Sequence, residues 1–150
     1  MKVCVCDVDG VVRIFDRNSI RTDRCEFQLD KIKLIDSFCE STGAKIVISS
    51  DWRRNDNKQE LEELLWPASR HFHEDWMTPI KGTRWGEIQS WLSEHPEVGA
   101  NYVIFDDIEF HFTGCPEEMR ERLIICDPKD GVGINEIWEA YDLFRVEVAQ

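Results

Sequence analysis

The chain has 150 residues, of which 42% are hydrophobic and 11% aromatic, and its formal net charge at pH 7 is −12. This composition is typical of a globular domain, which we place at residues 1–150, and excludes a disordered chain. The negative charge argues against an extended electrostatic footprint on nucleic acid, because phosphate contacts need clustered Lys and Arg. Recognition of a single strand end stays open.

No run of about 18 apolar residues occurs, so we expect no membrane-spanning segment. The amino-terminal residues reach Asp7 too early to form the apolar part of a secretory signal, and we therefore expect a cytoplasmic protein. The six cysteines show no C-x-x-C spacing and are interpreted as buried free thiols.

Apolar strands alternate with amphipathic helices along the chain. The predicted elements are a strand at 3–8, a helix at 29–42, a strand at 45–49, a helix at 57–66, an irregular stretch at 68–83, a helix at 84–95, strands at 101–105 and 122–126, and a helix over 134–144. This alternation predicts an α/β fold, a three-layer sandwich with a central parallel sheet.

Acidic and hydroxyl side chains follow three of the predicted strands, in the sequences DVDG at 7–10, SSD at 49–51 and DD at 106–107. The carboxyl ends of parallel strands meet at one edge of a sheet, where ligands bind. Neighbouring carboxylates raise each other's pKa, and a divalent cation removes that cost. The pattern predicts a Mg²⁺ site. Gly10 permits a tight turn or a close backbone approach to a ligand, and Ser49 could hydrogen-bond a phosphate oxygen.

These motifs, in this order, resemble those of the haloacid dehalogenase-like (HAD) phosphohydrolases. VCVCDVDGVV at 3–12 resembles their first motif, IVIS at 46–49 the second and YVIFDD at 102–107 the fourth. The third motif is a single Lys or Arg, for which Lys81 and Arg84 both qualify. The resemblance implies a HAD-like, Rossmannoid fold, and too few residues separate the motifs for a sizeable cap domain.

A closer resemblance is to the small HAD domains of bacterial and phage RNA-repair proteins and to polynucleotide phosphatases. Those domains combine an SSxWR-like second motif with R-x-x-E-I-x-x-W-L before the acidic pair. The corresponding residues here are SSDWR at 49–53 and RWGEIQSWL at 84–92. The resemblance implies a phosphatase whose substrate is a phosphorylated small molecule or a nucleic-acid end, such as a 3′-phosphate.

The resemblance also implies catalytic roles. Asp7 would be the nucleophile that forms a phosphoaspartyl intermediate, and Asp9 the general acid and base. A second Asp at this position favours a phosphatase over a dehalogenase. Arg84 or Lys81 would offset the charge of the transition state, and we favour Arg84 because it begins the R-x-x-E-I match. The residues expected to contact the phosphoryl group are Ser49, Ser50, Gly10 and Arg84.

The expected Mg²⁺ ligands are the Asp7 side chain, the Asp9 backbone carbonyl and the acidic pair. We favour Asp107 as the direct ligand, with Asp106 supporting it. The alternative to an enzyme is a non-catalytic HAD-like module that binds a phosphorylated partner. The sequence leaves open the oligomeric state and whether a partner supplies a cap.

Further side chains have possible roles near the predicted site. Arg53, Arg54, Arg70 and Arg84 are expected near its rim, where they could attract a phosphorylated polymer. Trp52 and Trp76 could stack on a base. His71 and His73 are interpreted as part of a solvated loop and not as a Zn²⁺ site, because no Cys or acidic partner has fitting spacing.

Overall fold

Five parallel strands form the central sheet of the computed structural model, which describes residues 1–15, 25–52, 58–80 and 82–148. In chain order, the strands of the described residues are β1 (Val3–Cys6), β2 (Arg13–Phe15), β3 (Cys25–Phe27), β4 (Lys45–Ile48), β5 (Phe72–Met77), β6 (Tyr102–Asp106) and β7 (Leu123–Ile125). Of these, β2 and β3 form a separate ribbon, and the others form the central sheet. The α-helices are α1 (Leu29–Thr42), α2 (Lys58–Leu64), α3 (Arg84–Ser93), α4 (Glu117–Arg120) and α5 (Ile134–Val148), and two 3₁₀ helices span Ala68–His71 and Glu109–Phe112. In these described ranges, no helix is both long and apolar enough to cross a membrane.

The sheet has the strand order β5-β4-β1-β6-β7, so β1 lies at its centre. In the register, Val5 of β1 lies opposite Val47 of β4 and Ile104 of β6. All five strands of this sheet run in the same direction. The residues that follow β1, β4 and β6 therefore come together at one edge, as the sequence predicts.

Alternate residues of β1 face two separate hydrophobic cores, because successive side chains of a strand point to opposite faces. Cys4 and Cys6 join the core that contains residues of α1 and α5. Val3 and Val5 join the core that contains Ile88 and other residues of α3. Helices thus cover both faces of the sheet, which confirms the predicted three-layer α/β sandwich.

The prediction of an irregular stretch at 68–83 is wrong. Its first part forms a 3₁₀ helix, and β5 follows as an edge strand that pairs with β4. The sequence FHEDWM of β5 is only partly buried and lacks an apolar run. An edge strand tolerates such polar residues because only one of its sides is paired, and periodicity therefore missed it.

Smaller differences concern element ends and short segments. The first strand ends at Cys6 and the third helix at Ser93, both two residues earlier than predicted. On α5, Phe144 is buried but Trp138 is 57% exposed. Between β1 and α1, the described part holds only the two-stranded antiparallel ribbon of β2 and β3, in agreement with the absence of a sizeable cap.

The cysteines agree with the thiol interpretation. Cys4, Cys6, Cys39 and Cys126 are buried and free, and Cys115 is half-buried and free. The Sγ atoms of Cys4 and Cys6 lie 3.4 Å apart on one face of β1. Burial raises the pKa of the Cys4 thiol well above its ordinary value, so this cysteine stays a neutral core side chain.

A partly exposed ionic contact joins the segment before β5 to α1. The Asp36 carboxylate accepts hydrogen bonds from Arg70 Nε at 2.8 Å and from His71 Nε2 at 2.9 Å. Partial burial alone would raise the pKa of Asp36, but these hydrogen bonds outweigh it and hold that pKa below its ordinary value. Asp36 therefore stabilises the fold when it is ionised.

We expect Asp36→Asn to lower the free energy of unfolding by about 1–3 kcal/mol at pH 7, because the hydrogen bonds lose their charged acceptor. A lowered pKa contributes stability that is present above the unfolded-state value of about 4 and is lost as the pH falls through the folded-state value. The difference between variant and wild type should therefore shrink below about pH 4. Urea unfolding at several pH values measures it.

Glu40→Gln is the matched control. Glu40 also pairs with Arg70, at 3.4 Å, but its side chain is 63% exposed. An exposed ion pair contributes less than about 1 kcal/mol. Equal losses in the two variants would contradict a special role for Asp36.

Candidate active site

Three carboxylates meet at the carboxyl edge of the sheet. Asp7 follows β1, Asp106 ends β6 and Asp107 comes next in the chain. One oxygen of each lies within 4.8 Å of the others. Asp7 is 6% exposed and Asp106 only 1%. The two acidic strand ends at 7 and 106–107 thus converge as predicted.

Burial, together with this proximity, raises the pKa of the Asp7 and Asp106 carboxyl groups. Burial is the main cause for Asp7, Asp106 adds to it, and the nearby Arg84 guanidinium acts in the opposite direction. Burial also raises the pKa of Asp106, although the Ile108 N–H donates a hydrogen bond to its Oδ1 at 2.9 Å. The negative charge at this edge therefore needs a cation to offset it.

The carboxylate group fits a Mg²⁺ ion. Asp107 Oδ1 is buried and has no hydrogen-bond partner among the residues that the structure describes. Leaving a buried acceptor unpaired is costly, and a cation would satisfy it. All three side chains offer hard oxygen ligands, which suit Mg²⁺. Asp107 is thus the best placed of the pair for direct coordination, and this role remains our prediction.

The backbone at Gly10 passes close to the carboxylate group. Its φ is +80°, a left-handed conformation that other residues rarely adopt. A Cβ atom built on Gly10 would lie 2.2 Å from Asp107 Oδ2. The turn that the sequence offers at Gly10 is therefore present, and its backbone lies close to the Asp107 carboxylate. The predicted contact of Gly10 with phosphate remains a prediction.

Arg84 enters the site from the start of α3. Thr83 caps this helix, and its Oγ1 accepts a hydrogen bond from the Gly86 N–H at 3.1 Å. Nη1 of Arg84 donates to the Ser49 carbonyl oxygen and lies 3.9 Å from Asp7 Oδ1. Its side chain is only 8% exposed. The structure places Arg84 beside the carboxylates, whereas Lys81 lies outside the described residues.

The residues after β4 form the other wall of the site. Ser49 is buried, and its Oγ accepts a hydrogen bond from Thr78 Oγ1 at 3.3 Å. Ser50 is also buried, and its Oγ accepts from the Trp52 N–H at 3.3 Å. The Asp51 side chain is 76% exposed and lies at the rim, 3.9 Å from Arg84 Nη2. Ser49 and Ser50 therefore lie in the buried part of this wall, and Asp51 lies at its exposed rim.

Two donors bind the Asp9 side chain. Its Oδ1 accepts hydrogen bonds from Arg13 Nη1 at 2.7 Å and from Trp52 Nε1 at 3.2 Å. The Arg13 guanidinium lies 5.1 Å from the centre of the Trp52 ring and 5.9 Å from that of Phe27. The Asp9 carboxylate is thereby held next to the site by the ribbon and by the segment after β4.

The two tryptophans proposed for base stacking have partners within the protein. Trp52 packs edge-on against Phe27, with 5.3 Å between ring centres. Trp76 stacks on Phe72 at 5.8 Å. Neither is therefore our candidate for stacking on a base.

The expectation of a basic rim needs one correction. Arg70 precedes β5, so it lies at the amino edge of the sheet, opposite the candidate site, where it pairs with Asp36. Arg84 is in the site, and Arg53 and Arg54 lie outside the described residues. Of the four, Arg84 alone is placed by the structure beside the carboxylates.

The solvated-loop interpretation of His71 and His73 is wrong. His71 is buried against α1, and His73 belongs to β5. His73, His95 and Glu97 form a second group whose ligand atoms lie within 4.8 Å of one another. One ring nitrogen of each histidine already has a partner, since His73 Nδ1 accepts from the Asp75 N–H and His95 Nε2 lies 3.2 Å from Asp75 Oδ2. The buried carboxylates are therefore the better metal site.

Sequence reasoning missed Thr78, Arg13 and His111. Thr78 follows a strand, as Ser49 does, but that strand was not recognised. Arg13 is four residues after Asp9, a spacing that becomes informative only once the turn at 8–13 is known. Nδ1 of His111 lies 3.6 Å from Asp106 Oδ1, and nothing in the sequence pattern indicates this contact.

We expect Gly10→Ala to weaken Mg²⁺ binding by about 10-fold to 100-fold, because the added methyl group must displace the Asp107 carboxylate. Gly43→Ala is the control. Gly43 has a φ of +77° and no atom near a built Cβ, so it carries the same backbone strain without the clash. Isothermal titration calorimetry with Mg²⁺ measures the affinity. Equal affinities in the two variants would contradict Asp107 as a ligand.

A model of one protein family matches this chain. The family is described as the HAD domain in Swiss Army Knife RNA repair proteins, and the match covers residues 3–136, which include the whole candidate site. No curated protein matches the chain. The match confirms the resemblance based on the four motifs and points to a HAD-type, phosphatase-related function in an RNA-repair setting. The chain belongs to the family of HAD domains found in Swiss Army Knife RNA repair proteins.

Proposed function

We propose that this protein is a Mg²⁺-dependent phosphomonoesterase that forms a phosphoaspartyl intermediate and acts on the phosphate of a nucleotide or nucleic-acid end. The observation that carries the proposal is the buried group of Asp7, Asp106 and Asp107 beside the Arg84 guanidinium. The RNA-repair setting of the family supports a strand end, such as a 3′-phosphate, as the substrate.

In the first half of the reaction, a carboxylate oxygen of Asp7 attacks phosphorus and the bond from phosphorus to the leaving oxygen breaks. Asp9 donates a proton to that oxygen. Both reactants are negative, so the attack requires nearby positive charge. Arg84 supplies one cation. Mg²⁺, held by Asp7, Asp107 and Asp106, would supply the other charge when bound.

In the second half, Asp9 takes a proton from a water molecule, whose oxygen attacks the phosphorus of the phosphoaspartate. The bond from phosphorus to the Asp7 oxygen then breaks, which restores the carboxylate and releases inorganic phosphate. Asp9 therefore acts first as an acid and then as a base, and its position must suit both steps. Arg13 and Trp52 are the positioning residues for it in this mechanism.

The decisive experiment compares wild type with Asp7→Asn on p-nitrophenyl phosphate and on a 3′-phosphorylated oligonucleotide, with Mg²⁺ and with EDTA. We expect phosphate release that requires Mg²⁺ and falls by a factor of about 1,000 or more in the variant. In EDTA the variant should also melt at a higher temperature, because it lacks a buried carboxyl group whose pKa is raised. This melting measurement excludes misfolding as the cause of the lost activity.

The same experiment tests the non-catalytic alternative. A binding module would release no phosphate from either substrate and would keep its affinity for phosphorylated ligands after Asp7→Asn. That result would overturn the enzymatic proposal.

For Asp9 positioning, we expect Trp52→Phe to lower kcat about tenfold with little change in KM. The substitution removes the Nε1–H donor to Asp9 but keeps an aromatic ring beside Arg13. Trp76→Phe is a matched control, since Trp76 is also half-buried and stacks on an aromatic ring. Steady-state kinetics on p-nitrophenyl phosphate separate the two constants. A rise in KM at unchanged kcat would contradict the positioning role.

A further inference from the structure

An open cleft with a volume of about 480 Å³ borders the candidate active site. Its walls come from the start of α3 and from the 3₁₀ helix Glu109–Phe112. Side chains of several chemical types line it, among them Arg84, Trp85, Phe110, His111 and Thr113. The volume is within the range of roughly 300–1,000 Å³ that is typical of small-molecule sites.

Two of these residues connect the cleft to the carboxylates. Arg84 lies 3.9 Å from Asp7, the proposed nucleophile. His111 lies 3.6 Å from Asp106. A molecule whose phosphate is next to Asp7 would therefore extend its remaining part into this cleft.

Phe110 is the most unusual residue of the cleft. Its side chain is 81% exposed, while Phe112 in the same 3₁₀ helix is fully buried. The burial of Phe112 fixes the helix and so holds the Phe110 ring in solvent. A single exposed hydrophobic residue is ordinary on a protein surface. Here, however, the exposed aromatic ring stands at the edge of a cleft that leads to the proposed nucleophile.

We propose that this cleft binds the terminal nucleoside next to the phosphate and that Phe110 stacks on its base. The proposal rests on the proposed function and specifies its substrate. Bases stack on exposed aromatic rings, which contribute about 1–3 kcal/mol per base. Asp51, whose side chain is 76% exposed, also lines the cleft and disfavours an acidic phosphopeptide.

The net charge of −12 limits recognition to the end of a strand, because a longer polyanion would be repelled. One nucleoside in the cleft with its phosphate beside Arg84 satisfies this limit. Both a free nucleotide and a strand end carry that chemistry. Activity on a 3′-nucleoside monophosphate and on a 3′-phosphorylated oligonucleotide distinguishes the two sources.

The test uses two 3′-phosphorylated oligonucleotides that differ only in the last unit, which carries a base in one and is abasic in the other. We expect wild type to prefer the base-bearing strand by about 5-fold to 100-fold in kcat/KM. Phe110→Ala should bring this ratio close to one, and Phe110→Tyr should keep it. Trp138→Ala is the control, because Trp138 is a 57% exposed aromatic on α5 that does not line the cleft.

Equilibrium binding of the same two strands in EDTA, followed by fluorescence anisotropy, gives a second measurement that needs no turnover. If wild type releases no phosphate but binds the base-bearing strand more tightly, and Phe110→Ala loses this difference, the phosphatase proposal fails and the cleft proposal stands. A preference for the base-bearing strand that persists in Phe110→Ala would overturn the cleft proposal, as would equal treatment of the two strands by wild type.

Discussion

The burial of the Asp7 carboxylate beside a second buried carboxylate, that of Asp106, is the constraint on which the rest of this site depends. Burial raises the pKa of both groups, the charge of Asp106 raises that of Asp7 further, and the fold tolerates them only where compensating groups converge. The Arg84 guanidinium is one such group, and we propose a metal cation bound to Asp107 Oδ1 as the other. In the proposed mechanism, the stability lost by burying these carboxylates is the condition for a reactive Asp7.

The side chains of the candidate site come from separate parts of the sheet. Asp7 follows the central strand, Ser49 follows one neighbour, and Asp106 ends the other. Because β1 pairs with both, a shift in either register would separate these side chains. Arg84 is added from α3, whose start is fixed by the Thr83 cap. The parallel sheet thus sets the relative positions of these side chains, which lie at or just after the ends of its strands.

The sequence predicted the parts of this arrangement that depend on local pattern. Buried strands read as apolar runs, and acidic residues directly after them mark the functional edge, so Asp7 and the acidic pair were identified correctly as neighbours. No such pattern marks the residues that reach the site only through tertiary contacts. Trp52 reaches Asp9 from 43 positions away, and His111 contacts Asp106 through a short 3₁₀ helix. The edge strand β5 was not predicted because it is only half-buried and its sequence contains no apolar run.

The segment from Asp106 to His111 has a consequence for how this protein can change. Asp106 Oδ1 accepts the Ile108 N–H at 2.9 Å, and the Ile108 carbonyl accepts the His111 N–H at 3.1 Å. The acidic residue and the exposed Phe110 ring therefore share one short, internally bonded length of backbone. Moving the ring by inserting or deleting a residue would also shift the carboxylate. Under the proposed function, replacing side chains at this position would adjust substrate preference, whereas changes in loop length would disturb the proposed reaction.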